Sequence, residues 1–536
     1  MKKSIIVLIL IILAVSGKTF SQRNGNLGKI KIIVKFASSP STFTVTKTSL
    51  KYNKLFAFSC QLDDGGLDIY THGFPFLNGG TVNGTVYPGL NYTDGCGHDI
   101  KFKMSSSVFS MDSQQTIDVH NPTTGWNFLV TWPQLVELYK TGWGISNHGL
   151  TNETGNYEYS VERNHSYVKL QTGQATPEGV RMGIFVNPNG DTLFSQYAFQ
   201  QGYPICFSQA HYFGYPSFDV ASNWNQNKIR MGRSNFYTGV SISSLASNMA
   251  AASINGAHQW GVAFSHSITD GSYGYDFDTF KSEMTSIAGN FGKTGADNIW
   301  MTTDEEVLDY LLLSPYLNIG TQKTGNDLII GFTGNLPVNL RFYAISLLVN
   351  GDANILSIQM EGPGTITYNG VGTNASLINL AFDKSALLPD TIDPAVKDAD
   401  YWVTKTESTR SQQDANVSTD YVNILPGGTI RDGFRSRLCL IPGLTFPQYF
   451  CSLGINEDIG NRIEVYPNPA SENLMITSTA MIHKISLLDI FGKEVYSRLA
   501  DAKDICIDIA TFKQGLYFLK VEGGRNSTFY KVLINH

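Results

Sequence analysis

The sequence predicts a multidomain protein: a parallel β/α sheet or barrel, then a β-sandwich domain, then a small C-terminal β-sandwich. Three observations carry this expectation. From Leu55 to Leu313, strand-like runs alternate with segments of helical spacing. From Ser314 to about Ile455 the helical spacing disappears. From 458 to 536, short strands are separated by turn residues. Alternation over so long a stretch argues for parallel strands. The 536 residues suffice for three or four domains at about 100–200 residues each.

The chain starts MKKSIIVLILIILAVSGKTFSQ. Lys2 and Lys3 precede an unbroken apolar run from Ile5 to Val15, followed by small and polar residues. That run falls short of the about 20 residues a bilayer span needs. It has the layout of a secretory signal removed near Gln22. No later segment is apolar enough to span. The formal charge is −6, and losing Lys2, Lys3 and Lys18 with the signal makes it −9. No basic stripe is present, so nucleic acid is not an expected partner. Apolar residues make up 42% and charged residues 16%, which supports folded cores.

Residues 29–48 alternate in the manner of strands. The next strand candidates are 55–62, 142–147, 180–186, 203–209, 228–236 and 258–265. Helix candidates interleave. Residues 132–141 carry Pro133 early and stop at Gly142. Residues 191–201 stop at Gly202, and 243–255 stop at Gly256. Residues 277–291 have helical apolar spacing, and 304–313 follow Thr303, which with Glu306 makes a capping box. Six cysteines contain no C-x-x-C pair, so a structural zinc site is not expected. Cys439 and Cys451 are the closest in sequence and the preferred disulfide; Cys60 and Cys206 read as small core residues.

The candidate chemistry starts at FSCQLDDGG, residues 58–66. A buried-looking strand ends in Asp63 and Asp64 and then two glycines. Asp-Gly is a common turn signal. Paired carboxylates at a strand end can also hold a metal and move a proton. In a β/α barrel, catalytic groups sit at the C-terminal ends of strands. Asp63, Asp64, His148 and His266 all occupy such places. A hydrolytic metal site needs about three protein ligands and an open position for water. It also needs a base for that water and an acid for the leaving group. One carboxylate of the couple can bind metal while the other stays free as base. His148 supplies an imidazole ligand, and His266 an acid.

Several stretches, in order, resemble the polysaccharide deacetylase family, the NodB-homology domains of carbohydrate esterase family 4. They are FSCQLDDG (58–65), GISNHGLTN (144–152), FVNPNGDTLFSQYAFQQGY (185–203), QWGVAFSHSI (259–268) and DNIWMTTDEEVLDYL (297–311). The resemblance covers residues 51–314 and implies a distorted β/α barrel. It assigns Asp63 as general base, Asp64 and His148 as metal ligands, and His266 as general acid. The metal is divalent, zinc by expectation. Three departures stand out. The last histidine of the second motif is Asn152, four residues after His148 and on the same side if the turn is helical. Its amide oxygen is the expected third ligand, giving a site with more oxygen character. The arginine that orients the base in the family is missing, with Val186 and Asn187 near its place; Arg230 and Arg233 are the candidates to replace it. The fourth motif has no secure match, Trp224 being the nearest.

The C-terminal unit resembles the sorting domain of the type IX secretion system. The residues that carry this are YPNPA (466–470), LLDIFGKEVYS (487–497), GLYFLKV (515–521) and KVLI (531–534). It implies contact with that secretion machinery and a destination at the cell surface or beyond. The expected organisation is a signal peptide at 1–22, an N-terminal β segment at 23–50 and a deacetylase-like barrel at 51–314. A sandwich serving as carbohydrate-binding or spacer module follows at 315–457, and the sorting domain at 458–536. The expected function is hydrolysis of acetyl groups from N-acetylated or O-acetylated polysaccharide. The alternative is an inactive glycan-binding protein on the same scaffold.

Overall fold

The computed structural model describes residues 22–23, 26–173, 179–209, 217–219, 228–237, 239–337, 339–387, 394–447, 450–451, 463–489, 493–523 and 526–535. Residues 1–21, most of the expected signal peptide, and Trp224 lie outside them. The chain divides into two compact units, Met1–Pro426 and Gly427–His536.

In the first unit, parallel strands close on themselves. Phe56–Leu62 pairs Ser105–Val108, which pairs Gly144–Asn147. The order continues through Ile184–Val186, Ile205–Gln209, Ile229–Asn235 and Gln259–Ser265. Gln259–Ser265 then returns to Phe56–Leu62 over six residue pairs, from Trp260↔Ala57 to Ser265↔Leu62. Ile299–Met301 adds in parallel beside Phe56–Phe58. The ring is thinnest where Gly144–Asn147 meets Ile184–Val186 through one register pair, Asn147↔Phe185. Phe56–Leu62 is buried along its whole length, as expected of a strand covered on both faces. The expected helices form at Trp132–Lys140, Leu193–Gln200, Ile242–Ser253, Phe277–Phe291 and Asp304–Leu313. Thr303 caps the last of these, its side chain accepting from Glu306 N. Glu306 does not complete a capping box, because its carboxylate pairs with Lys51 Nζ at 2.6 Å.

Two expectations are corrected. The 23–50 segment is no separate unit. Its strand Lys31–Phe36 lies between Asp327–Thr333 and Ile355–Glu361, and Phe43–Lys47 pairs Ala344–Gly351. These strands complete two four-stranded sheets with residues from 318 to 382. Two strands alone cannot bury an apolar face, and Ile32, Val34 and Phe36 are buried inside this sandwich. The sandwich also does not run to 457. Pro394–Thr409 and Gln412–Ile424 are helices. The second packs on Tyr157–Gln171, a barrel helix, where Ser166 Oγ donates to Asp420 Oδ2 at 2.7 Å.

In the second unit, Thr429–Cys439 is helical and Cys439 is disulfide-bonded to Cys451, the preferred pair. Cys60 and Cys206 are free and buried, consistent with core residues. Among the described residues the C-terminal strands form one five-stranded sheet rather than two, four of them in an unbroken order and Glu494–Asp508 branching from Asn473–Leu488. The long strand Asn473–Leu488 makes this possible. Its first half pairs Ile463–Tyr466 and its second half Gly515–Gly523, while Glu494–Asp508 runs beside both. Leu474, Ile476, Ile485, Leu519 and Val532 form its core.

Candidate functional site

The DDGG segment is both a turn and a meeting point. Asp64 and Gly65 have φ of 68° and 73°. Aspartate tolerates that left-handed region better than most residues. At Gly65 a Cβ would stand 2.7 Å from His120 Cε1, so glycine is required by close approach as well as by φ. The turn follows directly on Leu62, the last residue of its strand, and Asp63 N donates to Ser265 O at 2.9 Å across the barrel mouth.

Asp63 is buried and fully engaged. Arg233 Nη1 donates to its Oδ1 at 2.7 Å and Nη2 to its Oδ2 at 2.9 Å. Ser107 Oγ donates to Oδ1 at 2.7 Å. Burial would raise this carboxyl. Arg233 outweighs burial, helped by His148 and His266, and holds it well below the usual carboxylate range. Arg233, one of the two candidate arginines, is therefore the guanidinium that grips this aspartate. Asn187 donates to Ser195 Oγ at 2.9 Å instead. Arg230 is exposed, with its guanidinium 5.8 Å from the Phe199 ring centre.

Behind Arg233 runs a buried polar chain. Arg233 Nη1 also donates to Gln61 Oε1 at 2.7 Å. Gln61 Nε2 donates to Asp304 and, at 3.2 Å, to Ser146 Oγ. Ser105 Oγ donates to Asp304 as well. Burial raises the Asp304 carboxyl in spite of these donors. The Nη1 that holds Asp63 thus also ties the arginine to this chain, while its buried Nε has no hydrogen-bond partner.

Asp64 and His148 form the second pair. His148 Nδ1 lies 2.9 Å from Val186 O, so the proton sits on Nδ1 in the neutral ring. Nε2 then presents its lone pair, 3.4 Å from Asp64 Oδ1. That oxygen is buried and accepts no hydrogen bond. Burial lowers the His148 pKa, but Asp64 and Asp63 outweigh it and the net shift is upward. A lone-pair nitrogen facing an orphaned carboxylate oxygen fits two ligands of a divalent cation. Donors about 2.0–2.2 Å from one tetrahedral ion stand about 3.4 Å apart, the separation seen here. Among the described residues, no three His, Cys, Asp or Glu groups cluster to hold a metal.

Asn152 does not stand where the helical-turn argument puts it. Gly149 has φ 77°, and residues 151–155 are bends. Asn152 is half-buried and its main-chain oxygen accepts from Asn189 Nδ2 at 2.9 Å. The spacing of four therefore gives no common face with His148. His266 is exposed, immediately after Ser265, with its N donating to Tyr273 O at 3.3 Å. His266 and His148 both lie near enough to Asp63 to favour its ionised form. The structure thus brings Asp63, Asp64, His148 and His266 to one mouth.

Ser107 and Gln61 are site residues that sequence reasoning missed. The strand of Ser107 is SSSV, which lacks the β-branched and aromatic residues that mark strands. For Arg233 a signal existed: it shares strand parity with Ile229 and Met231, which are buried, whereas Arg230 does not.

Residues 464–535 match the secretion system C-terminal sorting domain family, within the expected 458–536. No curated protein matches the chain. The sorting domain implies handling by the type IX secretion machinery and export to the cell surface or extracellular space. No helix among the described residues is long and apolar enough to cross a membrane.

Proposed function

We propose that this exported protein is a metal-dependent hydrolase of the polysaccharide deacetylase kind. It would act on carbon–nitrogen bonds of N-acetylated polysaccharide, or on O-acetyl esters. The observation that carries the reading is the ionised, Arg233-held Asp63 beside the Asp64–His148 donor pair. Asp64 and His148 are the residues to hold a divalent metal, zinc by donor chemistry, with an amide or water oxygen completing the set. When bound, that ion acidifies a water from about 15.7 towards about 7 and polarises a carbonyl.

The chain's own groups then have distinct tasks. Asp63 takes the proton of the attacking water as its oxygen bonds to the acetyl carbon. Arg233 and Ser107 fix the orientation of Asp63 and keep it ionised. His266, open to solvent at the mouth, gives a proton to the departing amine as the C–N bond breaks. Acetate and a free amino sugar result. An acetate-release screen over peptidoglycan, chitin-like chains, poly-N-acetylglucosamine and acetylated xylan, with and without chelator, tests this. Chelator-sensitive release supports it; no release from any of them sinks it.

One observation favours a second reading. The bends at 151–155 remove the helical-turn geometry that would pair Asn152 with His148. A barrel short of one ligand would serve as a glycan-binding protein. Metal content of the purified chain separates the two: one tightly held zinc for the enzyme, none for the binder.

A further inference from the structure

Asp68 follows Asp63 and Asp64 in the same turn and has no task in the chemistry proposed above. Its carboxylate is used one-sidedly. Oδ2 accepts from Ile268 N at 2.7 Å, from Ser267 Oγ at 2.7 Å and from Thr269 Oγ1 at 3.3 Å. Oδ1 is buried and accepts no hydrogen bond among the described residues. Leaving a buried carboxylate oxygen idle costs stability. The group is therefore arranged for the loop that bonds it rather than for its own solvation. All three donors belong to the residues directly after His266.

Both ends of this link are held. On the turn side, Leu67 N donates to Phe128 O at 2.8 Å and Val130 N to Gly65 O at 2.9 Å. The carboxylate lies where the turn meets the main chain of His266: a Cβ at Gly66 would stand 2.9 Å from Asp68 Oδ1 and 3.3 Å from His266 O. On the loop side, Ser267 Oγ accepts from Thr269 N at 3.0 Å and from Asp270 N at 2.9 Å while donating to Asp68. Tyr273 N donates to Asp270 O at 3.0 Å, and His266 N to Tyr273 O at 3.3 Å, which closes the loop. Ile268 is buried, and its Cδ1 would lie 3.2 Å from a Cβ at Gly73. That apolar contact holds the loop down but has no direction. Hydrogen bonds to a carboxylate are directional and charge-assisted, so Asp68 sets where the loop stands against the turn.

We infer that Asp68 is the positioning residue for His266. It fixes the loop that carries the proposed acid against the turn that carries the proposed base and metal ligand. The inference rests on the proposed function for what His266 does there. Asp68 touches neither metal nor substrate in this scheme; it acts through the main chain that follows the histidine.

The test compares the full chain with Asp68→Ala and Asp68→Asn on a soluble β-1,4-linked N-acetylglucosamine hexamer and on 4-nitrophenyl acetate. The amine of the first leaves only with a proton; the phenolate of the second leaves without one. Asp68→Ala is expected to lower chelator-sensitive acetate release from the hexamer about tenfold to hundredfold, and from the aryl ester less than about threefold, because a displaced general acid loses most of its effect. Asp68→Asn keeps an oxygen for Ile268 N and is expected to restore most of the lost ratio. Hydrogen exchange over residues 266–275 is expected to quicken about tenfold or more in Asp68→Ala and to keep the parent rate elsewhere. Equal losses on both compounds overturn the inference, as does parent-like exchange over 266–275. If Asp68→Ala does not fold, Ser267→Ala removes one donor from the same oxygen; a smaller loss with the same selectivity is expected, and a parent-like ratio overturns the inference. No release from either compound by the parent, with exchange over 266–275 still dependent on Asp68, would sink the deacetylase reading and leave Asp68 as the anchor of this loop. Release by the parent with unchanged selectivity in Asp68→Ala would do the reverse.

Discussion

Arg233 reaches Asp63 from the strand Ile229–Asn235 with a two-pronged grip, Nη1 to Oδ1 at 2.7 Å and Nη2 to Oδ2 at 2.9 Å. The fork does two things a lysine would not. It fixes the carboxylate plane and it cancels the cost of burying the charge. If Asp63 is the base, Arg233→Met should lower kcat about a hundredfold through misplacement. The sign of the pH effect follows from the forces on Asp63. Burial raises its pKa and Arg233 lowers it. Without Arg233 the acidic limb of the rate profile should move to higher pH. A variant with the wild-type profile at reduced rate would assign Arg233 to structure alone.

Asp63 and Asp64 are adjacent in sequence and differ in surroundings. The first has its oxygens engaged by Arg233 and Ser107; the second has an orphaned oxygen facing His148. Asp63→Asn should therefore abolish acetate release with metal content unchanged. Asp64→Asn and His148→Ala should lose both. Elemental analysis beside the activity assay checks this, and metal loss in Asp63→Asn would show that the two aspartates do not divide the work in this way.

Periodicity made the barrel legible because most of its elements obey it. Phe56–Leu62 and Gln259–Ser265 are apolar runs, and Phe277–Phe291 repeats at helical spacing. The missed elements bury polar groups. Helix Tyr157–Gln171 buries Ser160, Glu162, Asn164 and Ser166, so its inward face shows no apolar stripe. Gln412–Ile424 mixes buried Asp414, Ser418, Thr419 and Asp420 with buried Ala415, Val417, Tyr421 and Val422, which blurs its apolar face. The candidate site was legible in its charged members but not in its supports. Asp63, Asp64, His148 and His266 stand at strand ends, which sequence can locate. Ser107 sits on a serine-rich strand, and its contact with Asp63 depends on tertiary pairing.

Glu306 offers a pH test remote from the mouth. Burial would raise its pKa, but the charges of Lys51 and Lys103 outweigh that and bring it to about 2. Its folded value thus lies below the unfolded value of about 4.3. A depressed carboxyl stabilises the fold above the unfolded pKa, and that stability is lost as pH falls towards the folded one. Glu306→Gln should cost about 3 kcal/mol at pH 7, from the size of the shift. The gap from wild type should close between about pH 4 and pH 2. Urea midpoints at pH 7 and pH 3 measure it, and a gap independent of pH would exclude the ionic explanation.

Arg341 bears on whether the sandwich and the barrel fold separately. It belongs to the sandwich segment yet donates to Trp143 O at 2.8 Å, to Glu305 Oε2 at 2.9 Å and to Tyr139 O. Its guanidinium lies 3.5 Å from the Tyr139 ring centre. Burial pushes the Glu305 carboxyl up to about 7 even against Arg341 and Arg181. Removing one of these partners leaves that charge less compensated. Arg341→Met should therefore destabilise the protein by about 3–5 kcal/mol, the range for breaking a buried pair. One apolar cluster contains both Ile32 and Ile345 of the sandwich and Phe58 and Trp260 of the barrel. A core shared in this way melts together. In urea, intrinsic fluorescence and far-ultraviolet dichroism should report one transition for residues up to Pro426, in wild type and variant alike. Two separated transitions, with Arg341→Met shifting only one, would show that the sandwich is an independent module.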